Sequence, residues 1–133
     1  MTKQDYIHYW TLTAEKDWDA VNSLFEKGNY VHSFFWAHLV LEKLLKAHWV
    51  KDNRENIAPK VHNLKFLAEA TNLPLTDEQF LFLIRMNEFQ MEGRYPDYQF
   101  RIYKILDKSR TKDILKEVEN MQLWLINNLV KQP

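Results

Sequence analysis

The chain of 133 residues contains no cysteine. Disulfide bonds and thiolate metal sites are therefore excluded, and the composition fits a reducing compartment. No apolar run reaches the roughly 18 residues that a membrane-spanning helix needs. The first residues, Met1 to Asp5, lack the apolar core of a signal peptide. We therefore expect a cytoplasmic protein without a membrane partner.

The chain also has no excess of either charge, because 18 basic residues balance 18 acidic ones and the net charge is zero. The chain as a whole thus has no electrostatic attraction to nucleic acid or to a membrane. Basic residues nevertheless cluster between positions 101 and 116, and we interpret this cluster as solvated surface in preference to a polyanion site. Its members are Arg101, Lys104, Lys108, Arg110, Lys112 and Lys116.

Glycine and proline are scarce, with two and four residues respectively, and apolar residues recur at spacings of three and four. This pattern predicts helices. We expect an all-α protein, a single domain over residues 1–133 that folds as an antiparallel up-and-down bundle of about five helices. Residues 98–108 show no clear pattern. The predicted helices are Asp5–Lys27, Tyr30–Lys51, His62–Thr71, Asp77–Glu92 and Ser109–Val130.

The second predicted helix is apolar around most of its circumference, which indicates a central position. It nevertheless carries His38, Glu42 and Lys46, spaced by four so that they share one face. A buried carboxylate needs a partner, and Lys46 or Arg94 would supply one. The alternative is an ordinary ion pair between Glu42 and Lys46 on the helix surface.

A second candidate segment is Arg94-Tyr95-Pro96-Asp97, which follows Gly93. The glycine favours a helix end, and the proline prevents an immediate restart. A guanidinium suits phosphate, and the phenols of Tyr95 and Tyr98 suit base stacking. The alternative role of Arg94 is a structural tie to Glu42 or to a helix end. The predicted ligand-binding residues are Glu42, Lys43, Lys46, Arg94, Tyr95 and Asp97.

The remaining polar residues form no known catalytic or metal-binding pattern. There is no metal-ligand spacing, no phosphate-binding glycine loop and no Ser-His-Asp arrangement, so we expect neither a metal nor a cofactor. His62 is interpreted as a capping or packing residue, with a site role as the alternative. His8, His32 and His48 are interpreted as ordinary positions. The aromatic residues are expected in the core and at an interface.

Three segments resemble the HEPN domain family in the same order along the chain: residues 28–47, with a Glu-Lys-x-x-Lys-Ala core, residues 62–67, and Arg94-Tyr95-Pro96-Asp97. The resemblance implies a helical bundle that dimerises and binds nucleotides. It also implies small proteins often paired with a minimal nucleotidyltransferase, as in toxin–antitoxin systems. Many members are metal-independent ribonucleases in which a histidine follows the arginine within a few residues.

This chain departs from that ribonuclease pattern, because no histidine follows His62. The catalytic candidates are Arg94 with His38, His62 or Tyr98, and a tyrosine with an ordinary pKa of about 10 is a poor base at neutral pH. We therefore expect a binding module for a nucleotide, RNA or a nucleotidyltransferase partner. The alternatives are a metal-independent ribonuclease and a purely structural dimer. Five tryptophans and eight phenylalanines in a small chain also predict a homodimer.

Overall fold

A computed structural model describes residues 1–90, 104 and 106–130. This part of the chain is helical and contains no strand, so the predicted all-α class is confirmed. The helices α1 and α2 form a hairpin closed at Gly28, whose φ of 80° lies in the left-handed region that favours glycine. The α-helices are α1 (Lys3–Glu26), α2 (Tyr30–Asp52), α3 (Leu64–Glu69), α4 (Asp77–Met86) and α5 (Lys108–Val130), and a 3₁₀ turn (Asn87–Phe89) follows α4.

The predicted limits of the three long helices lie within two residues of those observed. The predicted third helix, His62–Thr71, is two residues too long at each end, since α3 spans Leu64–Glu69. The side-chain oxygen of Asn63 accepts a hydrogen bond from the backbone N–H of Phe66 and caps α3, so His62 lies outside the helix.

The predicted fourth helix begins correctly, because Thr76 and Gln79 form the expected capping box. Its predicted end at Glu92 is wrong, since α4 ends at Met86 and the chain continues in the 3₁₀ turn. Phe89 of that turn stacks on the buried Phe34 with ring centroids 4.4 Å apart. This packing contact takes the place of a further α-helical turn after Met86.

The central position predicted for α2 is confirmed. This helix packs against α1, α3, α5 and the 3₁₀ turn. Its fully buried apolar side chains include Phe34, Leu41, Leu44 and Leu45. Polar groups on α2 therefore have little access to water and need partners within the protein.

Two polar contacts tie α2 to the neighbouring long helices. Lys43 forms an ion pair with Asp17 of α1 at 2.7 Å. His48 is fully buried, and its Nε2 lies 2.8 Å from the backbone carbonyl oxygen of Leu125 in α5. A carbonyl oxygen only accepts, so Nε2 of His48 carries the donated proton. The interpretation of His48 as an ordinary position missed this contact.

None of the helices among residues 1–90 and 106–130 is long and apolar enough to cross a membrane.

Candidate functional site

The row predicted on α2 forms a buried polar cluster. His38, Glu42 and Lys46 are 1%, 4% and 6% exposed. The Oε2 atom of Glu42 accepts a hydrogen bond from Lys46 Nζ at 3.0 Å, so the predicted pair is present and is buried, not a surface pair. The Lys46 ammonium also lies 5.3 Å from the ring centroid of Trp10, within cation–π range.

His62 occupies the surface end of this cluster. Its Nδ1 atom lies 3.0 Å from Oε1 of Glu42, and its side chain is 47% exposed. An ionised carboxylate only accepts hydrogen bonds, so His62 donates Nδ1–H, and in the neutral ring the lone pair is on Nε2. The buried glutamate therefore orients a partly exposed imidazole and selects its tautomer.

His38 lies on the buried side of the same carboxylate. Its Nδ1 atom is 3.8 Å from Glu42 Oε1, which exceeds hydrogen-bond distance. Burial lowers the pKa of His38, and the Glu42 charge and the Asn87 side chain oppose this effect without reversing it. His38 is therefore uncharged at neutral pH and forms a wall of the cluster.

Two asparagines fix the backbone that follows His62. Oδ1 of Asn87 accepts the backbone N–H of Leu64 at 2.9 Å, and Nδ2 of Asn87 donates to Oδ1 of Asn63 at 3.2 Å. The 3₁₀ turn is thereby bound to the start of α3. Both the ring of His62 and the residues after it are held by hydrogen bonds.

A small cavity of about 70 Å³ opens at the cluster. Pockets that enclose small-molecule ligands measure about 300–1,000 Å³, so this cavity is too small to enclose a nucleotide. A larger groove of about 480 Å³ between α4 and α5 shares none of these residues, and we assign the site by its chemistry and not by volume. The small cavity is lined by Phe35, His38, Leu39, Glu42, His62 and Gln90.

Of the other predicted ligand-binding residues, the structure describes only Lys43. Lys43 is paired with Asp17 on α1 and does not join Glu42. Arg94, Tyr95, Asp97 and Tyr98 lie outside the residues that the structure describes. In the described part of the chain, no group of histidine and carboxylate side chains is arranged to hold a metal ion.

Sequence reasoning missed Trp10 and Asn87. The sequence placed Trp10, with the other aromatic residues, in the core or at an interface, and nothing in its spacing indicates a contact with the Lys46 ammonium. The contacts of Asn87 with Asn63 and Leu64 span 24 and 23 positions, so no local pattern reveals them.

Comparison with known proteins supports the resemblance noted in the sequence. The family model for the HEPN domain matches residues 7–129, nearly the whole chain. No curated protein and no solved structure matches the sequence. The matched region includes all of α2 to α4, all but the first turn of α1 and all but the last residue of α5. The chain belongs to the HEPN domain family.

Proposed function

We propose that this HEPN domain is a binding module that recognises RNA or a nucleotide through the half-exposed His62, which the buried Glu42 orients. At the level of the family, a helical module related to nucleotides or RNA is supported. The observation that carries the proposal is the 3.0 Å hydrogen bond from a half-exposed His62 to a buried Glu42. Such an arrangement presents an imidazole in one orientation and one tautomer, which lowers the entropy lost on binding.

The ion pair with Lys46 makes this site compatible with an anionic ligand. A lone buried carboxylate would repel phosphate, but Lys46 Nζ lies 3.0 Å from Glu42 Oε2 and cancels its charge. An imidazole forms hydrogen bonds with ribose hydroxyls, base amino groups and phosphate oxygens. In this proposal Arg94 supplies the guanidinium that contacts phosphate in two places.

Binding of a labelled RNA oligonucleotide, followed by fluorescence anisotropy, tests the proposal. A hydrogen bond to a charged group contributes about 1.5–3 kcal/mol, so we expect His62→Ala to weaken binding roughly 10- to 100-fold. The matched control is His32→Ala, which removes an exposed histidine from α2. Equal affinity for the wild type and both variants would overturn the proposal.

A second candidate function is metal-independent ribonuclease activity. The Glu42–His62 hydrogen bond favours it, because a carboxylate that orients an imidazole is a common feature of general bases. No histidine follows Arg94 in the sequence, and loss of acid–base assistance typically costs about 10²- to 10⁴-fold in rate. We therefore expect little cleavage of structured or single-stranded RNA in metal-free buffer. Robust cleavage that is abolished by both His62→Ala and Arg94→Ala would favour ribonuclease activity over the binding module.

The proposal also includes two protein partners, a second copy of the chain and a nucleotidyltransferase. We propose that the domain forms a homodimer, because the chain carries five tryptophans and eight phenylalanines. The resemblance also supports a minimal nucleotidyltransferase as a partner in a toxin–antitoxin-like pair. Identification of the adjacent gene, followed by co-purification of the two products, tests this second partner. A neighbouring gene of another class, or separate elution of the two proteins, would contradict it.

A further inference from the structure

Phe66 is an aromatic residue on the solvent side of α3. It is 52% exposed, whereas Leu64, Leu67 and Ala68 of the same helix are buried in the core. The hydrogen bond from its backbone N–H to Asn63 Oδ1, 3.1 Å long, sets its position. Phe66 thus lies about one helical turn, roughly 5 Å along the axis, beyond the residue that follows His62. Single exposed apolar residues are common, so the inference depends on what surrounds this one.

Two lysines precede Phe66 within six positions of the sequence. Residues 60–66 include Lys60, His62 and Lys65 and contain no carboxylate. Lys65 has an acidic neighbour in Glu69, but their charged atoms are 3.6 Å apart and both side chains are about half exposed. Such pairs are weak and screened by salt, so the lysine readily exchanges its partner for a phosphate.

We propose that Phe66 is the stacking residue for a base of single-stranded RNA, with Lys60 and Lys65 contacting the flanking phosphates. The inference rests on the proposed function, since it extends the strand that meets His62. An exposed aromatic face beside cationic side chains is how sequence-tolerant single-strand sites are built. A duplex hides its base faces, so this site selects single strands over double strands.

The first test compares two exposed apolar residues. Leu81 of α4 is 61% exposed and serves as the matched control for Phe66. With a labelled eight-nucleotide RNA, we expect Phe66→Ala to weaken binding roughly 5- to 100-fold, Phe66→Trp to retain it, and Leu81→Ala to leave it unchanged. Thermal unfolding checks that each variant is folded. Unchanged affinity of Phe66→Ala, or an equal loss for a duplex of the same sequence, would overturn the stacking role.

A second test locates the base that stacks. Abasic sites are placed one at a time along the RNA, and we expect the effect of Phe66→Ala to vanish at one position. Substitution of Lys60 or Lys65 by alanine should each reduce the salt dependence of binding by about 0.7 in the log–log slope. An effect of Phe66→Ala that persists at every abasic position would show that the ring does not stack on a base.

The two proposals fail separately. Weaker binding by His62→Ala with normal binding by Phe66→Ala would overturn the stacking role and retain the site at Glu42. Weaker binding by Phe66→Ala with normal binding by His62→Ala would retain the stacking role and overturn the proposed site. Normal binding by both variants would overturn both.

Discussion

Replacement of Glu42 by glutamine is the most informative perturbation of the cluster. The change keeps the side-chain volume but removes the negative charge that neutralises Lys46, whose side chain is 7% exposed. Removal of one partner from a buried ion pair costs about 3–5 kcal/mol, because the remaining charge is buried without compensation. The Trp10 ring, 5.3 Å from the ammonium, offsets only part of this cost, about 1–2 kcal/mol.

The assay is urea unfolding together with thermal unfolding. For a chain of this length a loss of 1 kcal/mol lowers the melting temperature by roughly 3–5 °C, so the net loss of about 1–4 kcal/mol in Glu42→Gln should lower it by about 3–20 °C. The double variant Glu42→Gln/Lys46→Met should recover most of this loss, because it leaves no unpaired charge. A loss below about 1 kcal/mol for Glu42→Gln, or strictly additive effects in the double variant, would refute the buried pair.

Three further predictions concern stability and assembly. Burial lowers the pKa of His48, so the unfolded chain binds more protons than the folded one below about pH 6.5. The free energy of unfolding should therefore fall as the pH drops from 7 to 5. The variant His48→Gln should make the free energy of unfolding less dependent on pH. Gly28→Ala should lower the free energy of unfolding by about 1 kcal/mol in urea. A Cβ at this position meets no atom within 4 Å, so only the φ of 80° is unfavourable. A loss of stability near zero would contradict this reasoning. Light scattering at micromolar concentration should return the mass of a dimer, and a monomer mass would contradict the homodimer.

The sequence was sufficient for the features that depend on local spacing. The apolar residues on all sides of α2 predicted its central position, and the four-residue spacing made Lys46 one of the two expected partners of Glu42. The capping box at Thr76 followed from a short motif. Each of these features is determined within one or two helical turns.

The features that sequence missed depend on contacts between distant segments. The hydrogen bond from His62 to Glu42 spans 20 positions. In the structure α3 begins at Leu64, two residues after its predicted start, so His62 lies before the helix. The shortened α4 arises from the stacking of Phe89 on Phe34, which competes with local helix propensity. Asn63, an asparagine just before an apolar run, is an N-cap signal that could have placed the start of α3 correctly.

The central claim is that His62, held by Glu42, contacts the ligand. Nitrogen-15 NMR of the histidine rings during titration with a single-stranded RNA oligonucleotide tests it most directly. We predict that the free protein shows the His62 tautomer protonated on Nδ1, and that the Nε2 signal of His62 shifts saturably as RNA is added while the signals of His32 stay unchanged. RNA binding that leaves the His62 signals unaltered would contradict the claim.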